Sequence, residues 1–349
     1  MRKLLYSAIL LIGCLTAVIM VSGCMNKNPL GGDYQIRVVA DSSIWQQTEP
    51  ILGEIFERIE YTPRPEKEYE LIKANLNNYK RFKNILFIST LDANDEISKS
   101  INSSVSEEVR EKIEAGNIIF IKKNVWVNYQ MIMFLIGKDL PSLLNRIDEQ
   151  RSEIFFQFNE YWNKFHENIL YKNKEQFDVE KHLLKTYGWM VRVPLDYKLE
   201  VQSARDRFVM FHRTLPLRWF AVYWVEATNP LIITKDWCIA KRNEIGKKFY
   251  ENEEVEQKYQ DVIAEQVIFL NRRALELKGL WKDEEKVAGG PFWMYCFFDE
   301  PTERIYFIDF HLFLPEFRRS KLHYLKQMDI IAHTFKTILE IKPDEIGRK

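Results

Sequence analysis

Asp309 and His311 stand two residues apart in the apolar run 305–314. On an extended strand that spacing sends both side chains to one face, and a carboxylate beside an imidazole is a usable acid-base pair or the start of a two-ligand arrangement. The other face would carry Tyr306, Ile308, Phe310 and Leu312, so the plainer reading is a polar pair on an outer surface. Gly289-Gly290-Pro291 could cradle an anion with its backbone N–H groups, against the plainer reading of a turn before an apolar strand. Arg318, Arg319 and Lys321 form the clearest basic cluster. They fall at the start of the last expected helix, where positive charge is disfavoured, and would suit an acidic partner or lipid headgroups. Nine tryptophans could furnish a sugar-stacking platform, yet most lie in apolar periodic runs and read as core.

Stronger catalytic signatures are absent from the sequence: there is no HExxH, GxSxG, P-loop or paired CxxC. All six histidines follow residue 165. His323 and His333, ten apart on one expected helix, would be about 80° apart in azimuth and roughly 15 Å apart along the axis, too far to share a metal. No metal site or cofactor is implied.

The four cysteines separate by setting. Arg2 and Lys3 precede an apolar stretch, residues 4–20, which ends in Val21-Ser22-Gly23-Cys24. That order is a lipoprotein signal: cleavage falls before Cys24, which then carries the acyl chains. A membrane-spanning anchor would need a similar apolar length but no small pair before a cysteine. A second match ending at Cys14 would leave only a stub of apolar region before it. Met25-Asn26 lacks the aspartate that retains lipoproteins at the inner membrane in one sorting scheme, which favours the outer membrane, facing the periplasm. Cys238 and Cys296 remain for the folded part, either as one disulfide or as two thiols packed as small hydrophobes.

Lys plus Arg equals Asp plus Glu at 50 each, which argues against nucleic acid, because backbone recognition needs a basic surplus. With 46% hydrophobic residues and about 325 residues after cleavage, the chain can bury two cores. The expected organisation is signal peptide 1–23, lipidated cysteine and tether 24–32, an N-terminal domain 33–175 and a C-terminal sandwich-like domain 176–349. The charged stretch 172–180 marks the boundary, unless the long helix before it bridges both halves.

The elements that must position these residues follow from periodicity. A strand at 36–39 leads to a helix capped by Asp41, Ser42 or Ser43. Short strands are expected at 85–88, 118–121, 125–127 and 131–136, with a surface helix at 107–114. Pro141-Ser142 opens a helix of about 30 residues whose apolar face runs from Leu143 to Ile169. Strands follow at 188–194, 208–211 and 217–225, the last apolar on both faces and therefore central. A helix at 236–250, a strand at 267–277, a hairpin of 292–298 with 305–314 and a helix at 320–339 complete an α+β fold of antiparallel sheets with packed helices in two successive halves.

The order of several short motifs resembles a family of uncharacterised bacterial lipoproteins catalogued as a domain of unknown function. They are Asp41 with Trp45, Pro63-Arg64-Pro65-Glu66, Lys83-Asn84-Ile85-Leu86, Val125-Trp126 with Gln130, Gly279-Leu280-Trp281, Gly289-Gly290-Pro291-Phe292 and residues 315–321. The Pro63 segment departs from the usual Pro-Gln pair followed by Glu. The resemblance spans nearly the whole mature chain and implies no activity. From Gly188 on, the outline is also similar to small α+β sandwiches of the photosystem-accessory and Ran-binding type, which are binding modules. The expectation is a lipid-anchored envelope protein, a non-enzymatic binding or assembly module with an envelope-protein or headgroup partner. The alternative is an envelope hydrolase at Asp309 and His311.

Overall fold

The structure, a computed structural model, describes residues 29–230, 232–316 and 320–341. Cys24, Arg318 and Arg319 lie outside the described residues. The chain divides into two compact units: up to Arg58 with Lys67–Trp162, and Ile59–Glu66 with the residues from Asn163 on. Among the described residues, no helix is long and apolar enough to cross a membrane.

The first unit is built on β1 (Gln35–Val39), β2 (Glu70–Lys73), β3 (Asn84–Thr90), β4 (Ile119–Lys123) and β5 (Met131–Gly137), in the order β2-β1-β3-β5-β4. Its β1–β2, β1–β3 and β3–β5 pairs are parallel and only the β4 edge is antiparallel. Parallel neighbours require crossovers, which are supplied by helices such as α1 (Ser42–Phe56), capped by Asp41 accepting from the Ser43 N–H at 2.8 Å. The helices α2 (Glu96–Asn102), α3 (Glu107–Glu114) and α4 (Leu140–Glu149) complete this pattern. Residues 125–127, expected as strand, form a turn instead. There the Gln130 amide donates to the carbonyls of Lys80 and Phe82 at 3.0 and 2.9 Å and its oxygen accepts from the Trp126 N–H at 3.0 Å. Gln130 thereby ties this turn to the segment that leads into β3.

The expected 30-residue helix is two: α4 ends at Gln150, where φ is −110° and ψ 21°, and α5 (Arg151–Tyr171) follows. Arg151 pairs with Asp148 and with Glu54 at this break. The division between units falls inside α5, and most of the charged stretch 172–180 enters α6 (Phe177–Tyr187) or the turn before it.

The second unit holds an antiparallel sheet of β6 (Lys198–Ser203), β7 (Phe208–Arg213), β8 (Leu217–Glu226), β9 (Glu254–Glu256), β10 (Ile263–Phe269), β11 (Arg272–Asp283), β12 (Ala288–Asp299) and β13 (Arg304–Phe313). The order is β9-β11-β12-β13-β8-β7-β6, with β10 also on β11. β10 and β11, expected as one strand, are a hairpin turning at Leu270-Asn271, both left-handed with φ 49° and 64°. β8 lies between β13 and β7, as its two apolar faces imply.

Both faces of this sheet are covered. α6 and α8 (Leu322–Ala332) bury Leu183, Leu325 and Met328 against Phe220, Ile308 and Phe310. On the other face α7 (Lys235–Phe249) buries Cys238 and Ile239 against Phe208, Ala221 and Phe307. The last helix ends at Ala332, short of the expected 339, and Lys336–Thr337 pairs instead with Trp189–Met190, all that forms of the strand expected at 188–194.

Candidate functional site

The covered second face overturns the outer-surface reading of Asp309 and His311: each is 0% exposed. Their shared face is the one α7 packs on. Cys238, Ile239, Arg242 and Gly246 recur at helical spacing and make the buried stripe of α7, so Arg242 carries a guanidinium into an apolar interface. A buried charge must find anions there. Arg242 Nε donates to Asp309 Oδ1 at 3.3 Å, Asp309 Oδ2 accepts from the Tyr250 hydroxyl at 3.3 Å, and Arg242 Nη2 lies 4.0 Å from Glu253 Oε2. Burial opposes the charge on Arg242, but the Asp309 and Glu253 carboxylates outweigh it and hold its pKa above the ordinary arginine value. Burial, reinforced by Asp309, pushes the Tyr250 hydroxyl well up, so it serves as a donor.

Tyr250 and Glu253 reach this cluster through the turn that ends α7. Glu251 and Asn252 are left-handed, with φ 54° and 73°, and the Glu253 N–H donates to the Tyr250 carbonyl at 3.1 Å. The returning chain presses on the helix at Gly246, where a Cβ would lie 2.1 Å from the Glu253 carbonyl oxygen. Val255 N–H then donates to Asn243 Oδ1 at 2.8 Å.

His311 Nε2 lies 3.4 Å from Glu253 Oε2, without the alignment of a hydrogen bond. Its ring stacks on Trp219 at 4.7 Å and meets Tyr250 and Trp281 edge-on at 4.6 and 5.8 Å. The spacing of Asp309 and His311 does bring them to one face. No hydrogen bond joins them among the described residues, and each is engaged by a different acid or base.

Tyr250 and Glu253 also line a cleft of about 400 Å³, with Trp219, Trp281, Phe249 and Phe313 as aromatic wall and Glu200, His212, Glu251, Asp283 and Lys286 among its polar groups. Most of these polar groups have partners. His212 Nδ1 is 2.7 Å from Glu200, Lys286 pairs with Glu251, and Asp283 accepts from the N–H groups of Glu285 and Lys286 at 2.9 and 3.0 Å. Within the ionic cluster itself, Glu253 Oε2, both ring nitrogens of His311, and Arg242 Nη1 and Nη2 have no hydrogen-bond partner among the described residues. A second hollow of about 250 Å³ involves Glu175, Glu180, Arg192 and Thr334, but there Arg192 is held by both Glu175 oxygens at 2.8 Å. No group of three or more His, Cys, Asp or Glu among the described residues is placed to hold a metal ion.

The remaining sequence candidates sort by burial. Lys321 is 7% exposed, and burial, against the pull of Glu66, lowers its pKa. Glu66 accepts from the Lys321 N–H at 3.0 Å and the Ser320 hydroxyl at 2.6 Å, so a carboxylate from the Pro63 motif occupies the start of α8 and answers the positive charge there. Gly289-Gly290-Pro291 is not a loop but part of β12. A Cβ on Gly290 would lie 2.1 Å from the Leu312 carbonyl oxygen, which also accepts from Trp281 Nε1 at 3.3 Å, so this glycine serves strand packing. Cys238 and Cys296 are free and buried, the Cys296 thiol pushed well up by burial and by Cys238 beside it. Sequence reasoning missed Arg242, Tyr250 and Glu253. The available signal was a charged Arg242 in step with Cys238, Ile239 and Gly246.

These elements, from α6 through α8, form one continuous stretch of chain. Residues 176–334 match the family model for a domain of unknown function, DUF4837. The DUF4837 region contains the whole cleft and its ionic cluster, and it is narrower than the near-complete coverage the motif order implies. No curated protein matches the chain. Among solved structures, the Ran-binding protein Mog1p of Saccharomyces cerevisiae is 9% identical, covers 43% of this chain and 90% of its own, and gives a TM-score of 0.29. A Bacteroides thetaiotaomicron protein is 10% identical over 46% of this chain and 47% of its own, TM-score 0.26. LpqN, involved in cell envelope biogenesis of Mycobacterium tuberculosis, is 11% identical over 42% of this chain and 81% of its own, TM-score 0.26. Likenesses this slight carry no argument about activity.

Proposed function

We propose that the chain is a lipid-anchored protein of the cell envelope, tethered through Cys24 at the outer membrane, whose DUF4837 region is a non-enzymatic binding module with the aromatic cleft as its seat. The tether rests on the sequence of residues 2–24. The observation that carries the binding reading is the fate of Asp309. A general acid or base must come within hydrogen-bond reach of its substrate, and this carboxylate is sealed at 0% exposure with Arg242 and Tyr250 on its two oxygens. The cleft instead presents five aromatic side chains, Trp219, Phe249, Tyr250, Trp281 and Phe313, beside a set of polar groups, and aromatic walls with a few placed polar groups are usual in a small-molecule seat.

The test compares two variants for rescue of a deletion strain, each shown to be folded by circular dichroism. Phe313→Arg fills the cleft and should abolish rescue. Full rescue by folded Phe313→Arg, with loss in folded Asp309→Asn, would overturn the binding reading and favour the hydrolase.

A further inference from the structure

Resting on the reading of the cleft as a binding seat, we propose that its ligand is a small organic cation, an ammonium group carried on a compact body. The aromatic wall has the geometry for it. Trp219 and Trp281 stand at 86° with ring centroids 6.4 Å apart, and Phe313 lies 6.2 Å from Trp281 at 53°, so rings of different orientation bound one space. Aromatic faces carry negative potential and attract a cation lying within about 6 Å of the ring centre.

The charges agree with the rings. Four carboxylates line the cleft, Glu200, Glu251, Glu253 and Asp283, against one lysine, Lys286. Glu200 is engaged by His212, Glu251 by Lys286 and Asp283 by backbone N–H groups. Glu253 is held more loosely, with His311 Nε2 standing 3.4 Å from its Oε2 without the alignment of a hydrogen bond. It is 5% exposed, and its Oε2 has no hydrogen-bond partner among the described residues. Arg242 is the nearest positive charge at 4.0 Å, but its guanidinium is closer to Asp309, at 3.3 Å. Two carboxylates therefore share one guanidinium, a formal charge of −1 for the three before His311 is counted. An ammonium in the cleft would answer that charge and, where it carries N–H, complete the hydrogen bonding of Glu253. An anion would meet the acidic lining, and a neutral sugar would use the rings but bring no positive charge to the Arg242, Asp309 and Glu253 group.

The experiment titrates the purified full chain with choline and with 3,3-dimethylbutan-1-ol, its uncharged isostere, following tryptophan emission and heat. Choline should shift the emission and bind about tenfold more tightly than the isostere. Glu253→Gln should abolish that preference. Should Glu253→Gln fail to fold, the comparison on the unaltered protein decides. Equal affinity for the two probes, a response to cellobiose with none to choline, or no choline binding overturns the cation assignment. Equal affinity or cellobiose binding would leave the cleft as a binding seat, whereas rescue by folded Phe313→Arg removes the seat itself.

Discussion

The Arg242 guanidinium and the Asp309 carboxylate meet at 3.3 Å with neither side chain exposed, and the contact joins α7 to β13. Its energetic meaning is asymmetric. Removing one member leaves the other buried and uncompensated, which typically costs about 3–5 kcal/mol, whereas replacing both by apolar groups of similar volume is often neutral or stabilising. Arg242→Met and Asp309→Leu should each lower the urea midpoint sharply, and the double variant should recover most of the loss. Additive losses in the double variant would show that the pair is not the coupling between these elements.

A second prediction concerns pH. His333 Nδ1 lies 3.3 Å from Asp329 Oδ1, which also accepts from the Tyr295 hydroxyl at 2.8 Å. Burial opposes the imidazolium, but the Asp329 carboxylate outweighs it and raises the His333 pKa from 6.5 to about 9. Between those values the folded chain holds a proton that the unfolded chain releases, so this stabilisation is complete below 6.5 and is lost as pH rises through about 9. His333 is 48% exposed, so water screens the pair and the effect is modest. Urea midpoints should decline between pH 6.5 and pH 9 and the decline should shrink in His333→Gln. An unchanged slope in that variant would place its origin elsewhere.

Much of the second unit was legible from periodicity because its strands are long and apolar. β8 reads as central from apolar residues on both faces, and it is. The failures have local causes. Leu270-Asn271 turns the chain without glycine or proline, so β10 and β11 read as one strand. α4 and α5 share an apolar stripe across Gln150, and nothing in the residue types marks the break. The site failed for a different reason. Spacing put Asp309 and His311 on one face, but burial of that face depends on α7, and the partners Arg242, Tyr250 and Glu253 come from segments about 60 residues earlier. Pairing at that separation is a property of the folded chain, invisible to local pattern.

The tether can be checked by mass. The proposed processing site is Cys24 in preference to Cys14, on the strength of Ser22 and Gly23 before it and the polar residues after it. Cys24→Ala should accumulate an unprocessed, heavier precursor, seen by gel and mass spectrometry of the membrane fraction. Normal maturation of Cys24→Ala, with arrest of Cys14→Ala, would move the site to Cys14.

Gly246 separates helix propensity from packing. Ala is favoured over Gly in a helix interior by roughly 1 kcal/mol, so propensity alone makes Gly246→Ala stabilising. The structure reverses the sign. A Cβ there would lie 2.1 Å from the Glu253 carbonyl oxygen, a backbone atom that moves only if the turn at Glu251-Asn252 moves with it. Overpacking of this kind typically costs about 1–3 kcal/mol, more than propensity returns. Gly53, in α1, provides the control, because nothing lies within 4 Å of its added Cβ. Gly53→Ala should raise the thermal midpoint slightly or leave it unchanged, while Gly246→Ala should lower it and weaken choline binding by displacing Glu253. A midpoint raised in both variants would show that the Glu253 chain is free to yield, and the close approach at Gly246 would no longer explain how Glu253 is held at the cleft.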